Sequence, residues 1–294
     1  MFAGVTVALV TPFRDGEVDY QALRDSVDWQ IARGTPVLSP VGTTGECPTL
    51  SHDEHERVIA TVVEQSAGRA RVMAGTGSNA TSEAIRLTKF AAKAGADGAL
   101  LVSPYYNRPT QEGLYAHFAR IAESCELPQV LYNVPSRTGR NVEPETVERL
   151  AKLGPIVAVK EASGSLDQVS DLVLRTDLTV LSGDDSLTLP MMAVGAEGVV
   201  SVVANLVPQD VIALIDAFRG GDLAEARRLH LKLFPLCRDL LGVASNPIPV
   251  KLALAMLGRG NGELRLPLYP PDERGRETLR RSLVRYGILD GPAE

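Results

Sequence analysis

The chain has 294 residues, with 30 Lys plus Arg against 36 Asp plus Glu and a net charge of −6. A mildly acidic chain without basic blocks is a poor ligand for nucleic acid, whose phosphates are held by clustered Lys and Arg. Three dispersed cysteines, Cys47, Cys125 and Cys237, form no CxxC pair and argue for a reducing compartment, the cytoplasm, over a disulfide framework or zinc site.

The first apolar run, 4–11, follows no basic segment and stops at Thr11-Pro12, so it is predicted as a strand, not a signal peptide. No run approaches the ~18 apolar residues of a membrane helix. Further β-type runs follow at 35–41, 71–76, 97–103, 128–134, 155–160, 178–182 and 197–203. Amphipathic segments lie between them at 19–33, 51–67, 79–94, 111–125, 143–152, 165–175 and 185–194. Ser51 followed by Glu54 predicts a capping box at one helix start. The alternation predicts eight βα units and an α/β protein, a (β/α)8 barrel, rather than an open doubly wound sheet. Beyond Asn205 the pattern is helical at 208–219, 222–240, 247–257 and 273–286. The expected division is a barrel over 1–222 and a C-terminal helical domain over 223–294.

In such barrels chemistry sits at the C-terminal ends of the strands. Lys160 ends the run Val157-Ala158-Val159-Lys160. An ammonium on a buried strand is costly unless paired or neutral, and a neutral lysine can form a Schiff base with a carbonyl. Snorkelling into water is the ordinary alternative. Period-two alternation puts Ala158 and Lys160 on one face and Glu161 on the other. Other strand ends supply Gly42-Thr43-Thr44-Gly45-Glu46, Tyr105-Tyr106, Tyr132 with Arg137, and Gly183-Asp184-Asp185. Tyrosine and threonine hydroxyls can shuttle the proton that Schiff-base formation needs. Backbone N–H groups of a Gly-rich loop suit a keto-acid carboxylate, and Arg137 offers a fork for a second acid.

These residues, in this order and spacing over essentially the whole chain, resemble the pyruvate-dependent class I aldolase family of dihydrodipicolinate synthases, N-acetylneuraminate lyases and keto-deoxy-sugar-acid aldolases. Ser136-Arg137-Thr138-Gly139, Tyr105-Tyr106-Asn107-Arg108-Pro109 and Asn246-Pro247-Ile248-Pro249-Val250-Lys251 resemble its dihydrodipicolinate synthase branch. The resemblance implies a lyase of lysine and diaminopimelate biosynthesis that joins pyruvate to aspartate semialdehyde. It implies Lys160 as the Schiff-base lysine and Thr43, Tyr132 and Tyr106 as a proton relay, with Tyr106 reaching in from a neighbouring subunit of a homotetramer. Thr44 and a backbone group of Val200 would hold pyruvate, and Arg137 the second substrate. No metal or organic cofactor is implied. A sugar-acid aldolase ranks second, because such members usually lack the arginine. A non-catalytic barrel ranks third, since the set is intact.

Two other motifs compete for attention. Gly75-Thr76-Gly77-Ser78-Asn79-Ala80 with Asp97 loosely fits a dinucleotide fingerprint, which a barrel loop does not support. His52-Asp53-Glu54-His55-Glu56 reads as a solvated helix start rather than a metal cluster. The resemblance adds that His52, His55, Asn79, Glu83 and Tyr105 match a lysine-inhibitor site of some members, from which Cys47 and Pro48 depart.

Overall fold

The computed structural model describes residues 1–291. Eight parallel strands close into a barrel in chain order. They are β1 (Gly4–Ala8), β2 (Val37–Ser39), β3 (Arg71–Gly75), β4 (Gly98–Val102), β5 (Gln129–Asn133), β6 (Ile156–Glu161), β7 (Thr179–Ser182) and β8 (Gly198–Ser201). The helices around it are α1 (Tyr20–Ala32), α2 (His52–Ser66), α3 (Thr81–Ala94), α4 (Gln111–Ser124), α5 (Pro144–Leu150), α6 (Leu166–Arg175), α7 (Thr188–Ala193) and α8 (Pro208–Arg219). The predicted (β/α)8 class is the observed one.

Alternation along the strands produces two apolar layers. Val37, Met73, Leu100, Val130, Ala158 and Leu181 fill the barrel interior. Their neighbours Leu38, Leu101, Leu131 and Val159 face outward beneath the helices. Each such side chain contributes about 1.5–3 kcal/mol when fully buried, so a one-residue slip in register would exchange the two layers and is strongly disfavoured. The capping box on α2 is present: Glu54 N–H donates to Ser51 Oγ at 3.2 Å, and Ser51 N–H to Glu54 Oε2 at 2.8 Å.

Element ends depart from expectation where loops take over. β1 stops at Ala8, and the chain then forms a hairpin of Phe13–Arg14 against Glu17–Val18. Asp15 and Gly16, at φ 54° and 83°, make its turn, both central residues having the positive φ of a primed turn. Strands of two residues are too short to show alternation. β8 stops at Ser201 because Val203–Asn205 winds into a 3-10 turn. A four-residue helix, Pro135–Thr138, also escapes the sequence pattern and carries Arg137.

Three further helices complete the chain: α9 (Leu223–Gly242), α10 (Ile248–Met256) and α11 (Glu273–Tyr286). Leu233, Leu236, Val250, Leu279 and Leu283 belong to the same buried cluster as Val7, Leu9 and Val203, so these helices share the barrel's outer core. Among the described residues no helix is long and apolar enough to cross a membrane.

Candidate active site

Lys160 is 6% exposed and lies on the inner face of β6, as alternation predicts. Tyr132 stands beside it on β5 in direct register. The Lys160 Nζ is 3.9 Å from the centroid of the Tyr132 ring. No carboxylate among the described residues pairs with it. Its stem passes Gly183 at the end of β7, where an added Cβ would lie 3.2 Å from Lys160 Cε and 2.6 Å from Ala162 Cβ. Glycine there leaves the room the lysine occupies.

Glu161, the next residue, points out of the barrel and is 1% exposed. It accepts from Asn133 Nδ2 at 3.0 Å, Gln168 Nε2 at 2.9 Å and the Ser163 N–H at 2.6 Å. Asn141 joins the same network through Asn133 and Gln168. The outward half of β6 is thus fixed by charge-assisted hydrogen bonds while its inward half carries the amine.

Thr43 and Tyr132 line one cavity with Gly42, Cys47, Leu100 and Val102. The cavity therefore joins two of the predicted residues, from the β2 and β5 ends, and Tyr132 links it to the lysine. The loop that carries Thr43 is held from below. Glu46 adopts φ 54°, is 1% exposed, and receives the Lys251 ammonium at 2.5 Å. Thr11 Oγ1 donates to the Gly45 carbonyl at 2.7 Å.

Thr44 and Arg137 meet through Asn246, which opens the Asn246–Lys251 motif but had no role assigned to it from sequence. Asn246 Nδ2 donates to Thr44 Oγ1 at 3.0 Å, while the Asn246 carbonyl accepts from Arg137 Nη2 at 3.2 Å. Asn246 is 8% exposed, and its own Oδ1 is buried without a partner. Arg137 itself is exposed on its short helix. Val200 faces the barrel interior in the apolar cluster that contains Tyr132.

Two acids at the β7 end differ in task. Asp185 is partly buried and accepts from Ser201 Oγ at 2.5 Å and from the Val202 and Val203 N–H groups at 2.9 Å each, which pins the turn after β8. Burial raises its pKa above the ordinary value despite these donors. Burial likewise raises Asp184, and the Lys160 charge opposes that rise.

Tyr106 stands apart from its own chain's site. It is 90% exposed with φ 72°, so the backbone is bent to present the ring outward.

Of the second residue group, His52, His55, Glu83 and Tyr105 line a separate cavity with Cys47, Pro48 and Ser78. Asn79 is not in that wall; its carbonyl accepts from Asn107 Nδ2 at 2.9 Å. His52 Nδ1 is 3.1 Å from Glu83 Oε1, and Ser78 Oγ donates to the other Glu83 oxygen. The solvated-helix-start reading holds for His52, which is exposed, and fails for His55. His55 is 7% exposed with its Nε2 2.8 Å from the Gly75 carbonyl, and burial lowers its pKa. Cys47 borders both cavities, and burial raises its thiol pKa to about 12. The dinucleotide-like glycines serve packing: a Cβ on Gly75 would collide with the Val41 carbonyl and one on Gly77 with the Val102 N–H.

Residues 1–285 match the family model described as the dihydrodipicolinate synthetase family. The chain belongs to this dihydrodipicolinate synthetase family. A family relative from Pelobacter propionicus, named 4-hydroxy-tetrahydrodipicolinate synthase, is 56% identical over 98% of this chain and 100% of its own. The dihydrodipicolinate synthase structure from Aquifex aeolicus superposes with a TM-score of 0.97 at 48% identity, covering 99% of this chain and 100% of that one. A chloride-inhibited dihydrodipicolinate synthase from Acinetobacter baumannii, solved in complex with pyruvate, matches with a TM-score of 0.95 at 44% identity, covering 98% of this chain and 100% of that one.

Proposed function

We propose that the chain is a lyase that condenses pyruvate with L-aspartate 4-semialdehyde, the 4-hydroxy-tetrahydrodipicolinate synthase reaction of lysine and diaminopimelate biosynthesis. The observation that carries this reading is the inward Lys160 amine, buried beside the Tyr132 ring and without an ion pair among the described residues.

The amine attacks the carbonyl carbon of pyruvate to give a carbinolamine. Protonation of its oxygen through the Tyr132 and Thr43 hydroxyls releases water and leaves an imine. Tyr106 of a neighbouring subunit would complete the relay, which accounts for a tyrosine held out in solvent on strained backbone. The Thr44 hydroxyl and loop N–H groups hold the pyruvate carboxylate, with backbone from Val200 opposite. Loss of a methyl proton gives the enamine, which attacks the aldehyde carbon of the second substrate. Arg137 holds that substrate's carboxylate. Its amine then attacks the imine carbon, the C–N bond to Lys160 breaks, and the ring closes with the lysine regenerated. The iminium is itself the electron sink, so the sequence of steps requires neither metal nor organic cofactor.

The same reading makes the enzyme a cytoplasmic homotetramer, a dimer of dimers. Tyr106 supplies one motive for assembly; Leu166, Val173 and Leu174, exposed together on α6, supply another. The cavity of His52, His55, Glu83 and Tyr105 would take lysine as a feedback inhibitor, with Glu83 as the counter-ion. Unchanged activity in millimolar lysine would remove that part alone.

The central test is chemical trapping. Incubation with pyruvate followed by borohydride should leave a reduced adduct at Lys160, mapped by peptide mass. An adduct elsewhere, or none, would overturn the assignment. Adding aspartate semialdehyde to the loaded enzyme should discharge it, whereas N-acetylmannosamine and glyceraldehyde should not.

A further inference from the structure

A third cavity, of about 260 Å³, lies outside the Lys160 site, between α1 and the loop after α10. One wall is a single face of α1, since Ala22, Asp25, Ser26 and Trp29 recur at helical spacing. The opposite wall is Gly258-Arg259-Gly260, and Val10 and Pro12 close the end.

The charges in this cavity are not balanced by the protein. The Arg259 guanidinium stacks over the Trp29 ring at 3.2 Å and donates one Nη1 bond to the Asn205 carbonyl at 2.9 Å. No carboxylate pairs with it among the described residues. Arg33 adds a second guanidinium over the same ring at 3.8 Å, also without a carboxylate. Burial, and then Arg33, lower the Arg259 pKa to about 10. Across the cavity Asp25 accepts from Gln21 Nε2 at 2.9 Å and has no cationic partner among the described residues. Ser26 is already bonded to the Ala22 carbonyl at 2.8 Å.

An unpaired, half-buried guanidinium gains most from a carboxylate, which can take two of its N–H bonds. An unpaired carboxylate gains from an ammonium. We propose that this cavity is a binding site for a small α-amino acid, with the ligand's carboxylate on Arg259, its ammonium on Asp25, and its side chain against Trp29 and Pro12. A simple anion would leave Asp25 uncompensated and repelling it; a simple cation would meet Arg259 and Arg33. The site also touches the barrel, because the Asn205 side chain donates to the Ala8 and Val202 carbonyls and accepts from the Val10 N–H. A ligand on Arg259 therefore bears on the closure of β8 against β1. None of this depends on what Lys160 does.

Trp29 is the single tryptophan of the chain, so its emission reads this cavity directly. Titration with L-alanine and L-lysine should give a saturable change. Acetate and ethylammonium, the two half-ligands, should bind at least about tenfold more weakly, the effect of losing one hydrogen bond to a charged group. Asp25→Asn, at an exposed position, should weaken the amino acids by a similar factor while leaving the melting temperature unchanged. Flat emission with both amino acids overturns the site. So does saturation that Asp25→Asn leaves unaltered, or acetate binding as tightly as alanine. Since the readout follows neither pyruvate nor Lys160, its failure is distinguishable from failure of the lyase assignment.

Discussion

Gly183→Ala tests whether the amine is held in place by the room around its stem. The added Cβ would lie 2.6 Å from Ala162 Cβ and 3.2 Å from both Glu161 O and Lys160 Cε. The first contact is too close to persist, and the Glu161 carbonyl belongs to the strand. Relief of the Ala162 contact shifts the backbone just after Lys160, and the flexible lysine side chain gives way as well. Overpacking of this kind costs about 1–3 kcal/mol, which at ~2–4 °C per kcal/mol lowers the melting temperature by a few degrees. Catalysis should suffer more. Moving a reacting atom by about 1 Å can cost up to ~100-fold in rate. The expected result is a 10–100-fold slower appearance of the borohydride-trapped pyruvate adduct, timed by quenched intact-mass measurement. The fold should remain intact by circular dichroism. Adduct formation within about a factor of two of the parent rate, with the melting temperature lowered, would refute the reasoning. It would show that strain at Gly183 is absorbed without moving Lys160.

Asn246→Ala removes the amide that donates to Thr44 but keeps the carbonyl that accepts from Arg137. The KM for pyruvate should rise about 5–100-fold, as for loss of a buried hydrogen bond, while that for aspartate semialdehyde changes little; steady-state kinetics in both substrates separates the two. Arg137→Ala should do the reverse, raising the KM for aspartate semialdehyde about 10–100-fold and leaving the trapped pyruvate adduct unaffected. Glu54 is held down to about 2, below its ordinary 4.5, mainly by the paired Arg265 guanidinium. A lowered carboxylate stabilises the fold fully above its unfolded pKa and loses that contribution as pH falls through its folded one. Thermal melts should therefore show the parent losing more stability than Glu54→Gln between pH 4.5 and about 2; parallel curves would contradict the pairing.

Much of the architecture was readable because it rests on periodic signals. The eight β-type runs and their amphipathic partners mark strands and helices, and period two alone aims Lys160 inward and Glu161 outward. The parts that escaped have no period. Lys251 reaches Glu46 from more than 200 positions away, and Asn246 reaches Thr44 over a similar span. Glu161 is satisfied by Asn133 and Gln168 from two other elements. Nothing near any of these residues in sequence announces its partner. The Phe13–Arg14 hairpin had a local sign, Asp15-Gly16, but strands too short to confirm it. His55 shares a helix turn with solvated neighbours and is buried only because the β3 end lies against it.

The bonds from Asn246 to Thr44 and Arg137 have a consequence for how this chain can be cut, shuffled or evolved. A fragment ending near 222 would retain Lys160, Tyr132 and Thr43 but would uncover the part of the core that Leu233, Leu236, Leu279 and Leu283 complete. It would lack the residue that tethers Thr44 and Arg137, and the lysine that anchors the Thr44 loop through Glu46. Lys160 and the residue that ties Thr44 to Arg137 thus lie in different stretches of the polypeptide. Exchanging the C-terminal helices between relatives is a way to change that tie without touching Lys160.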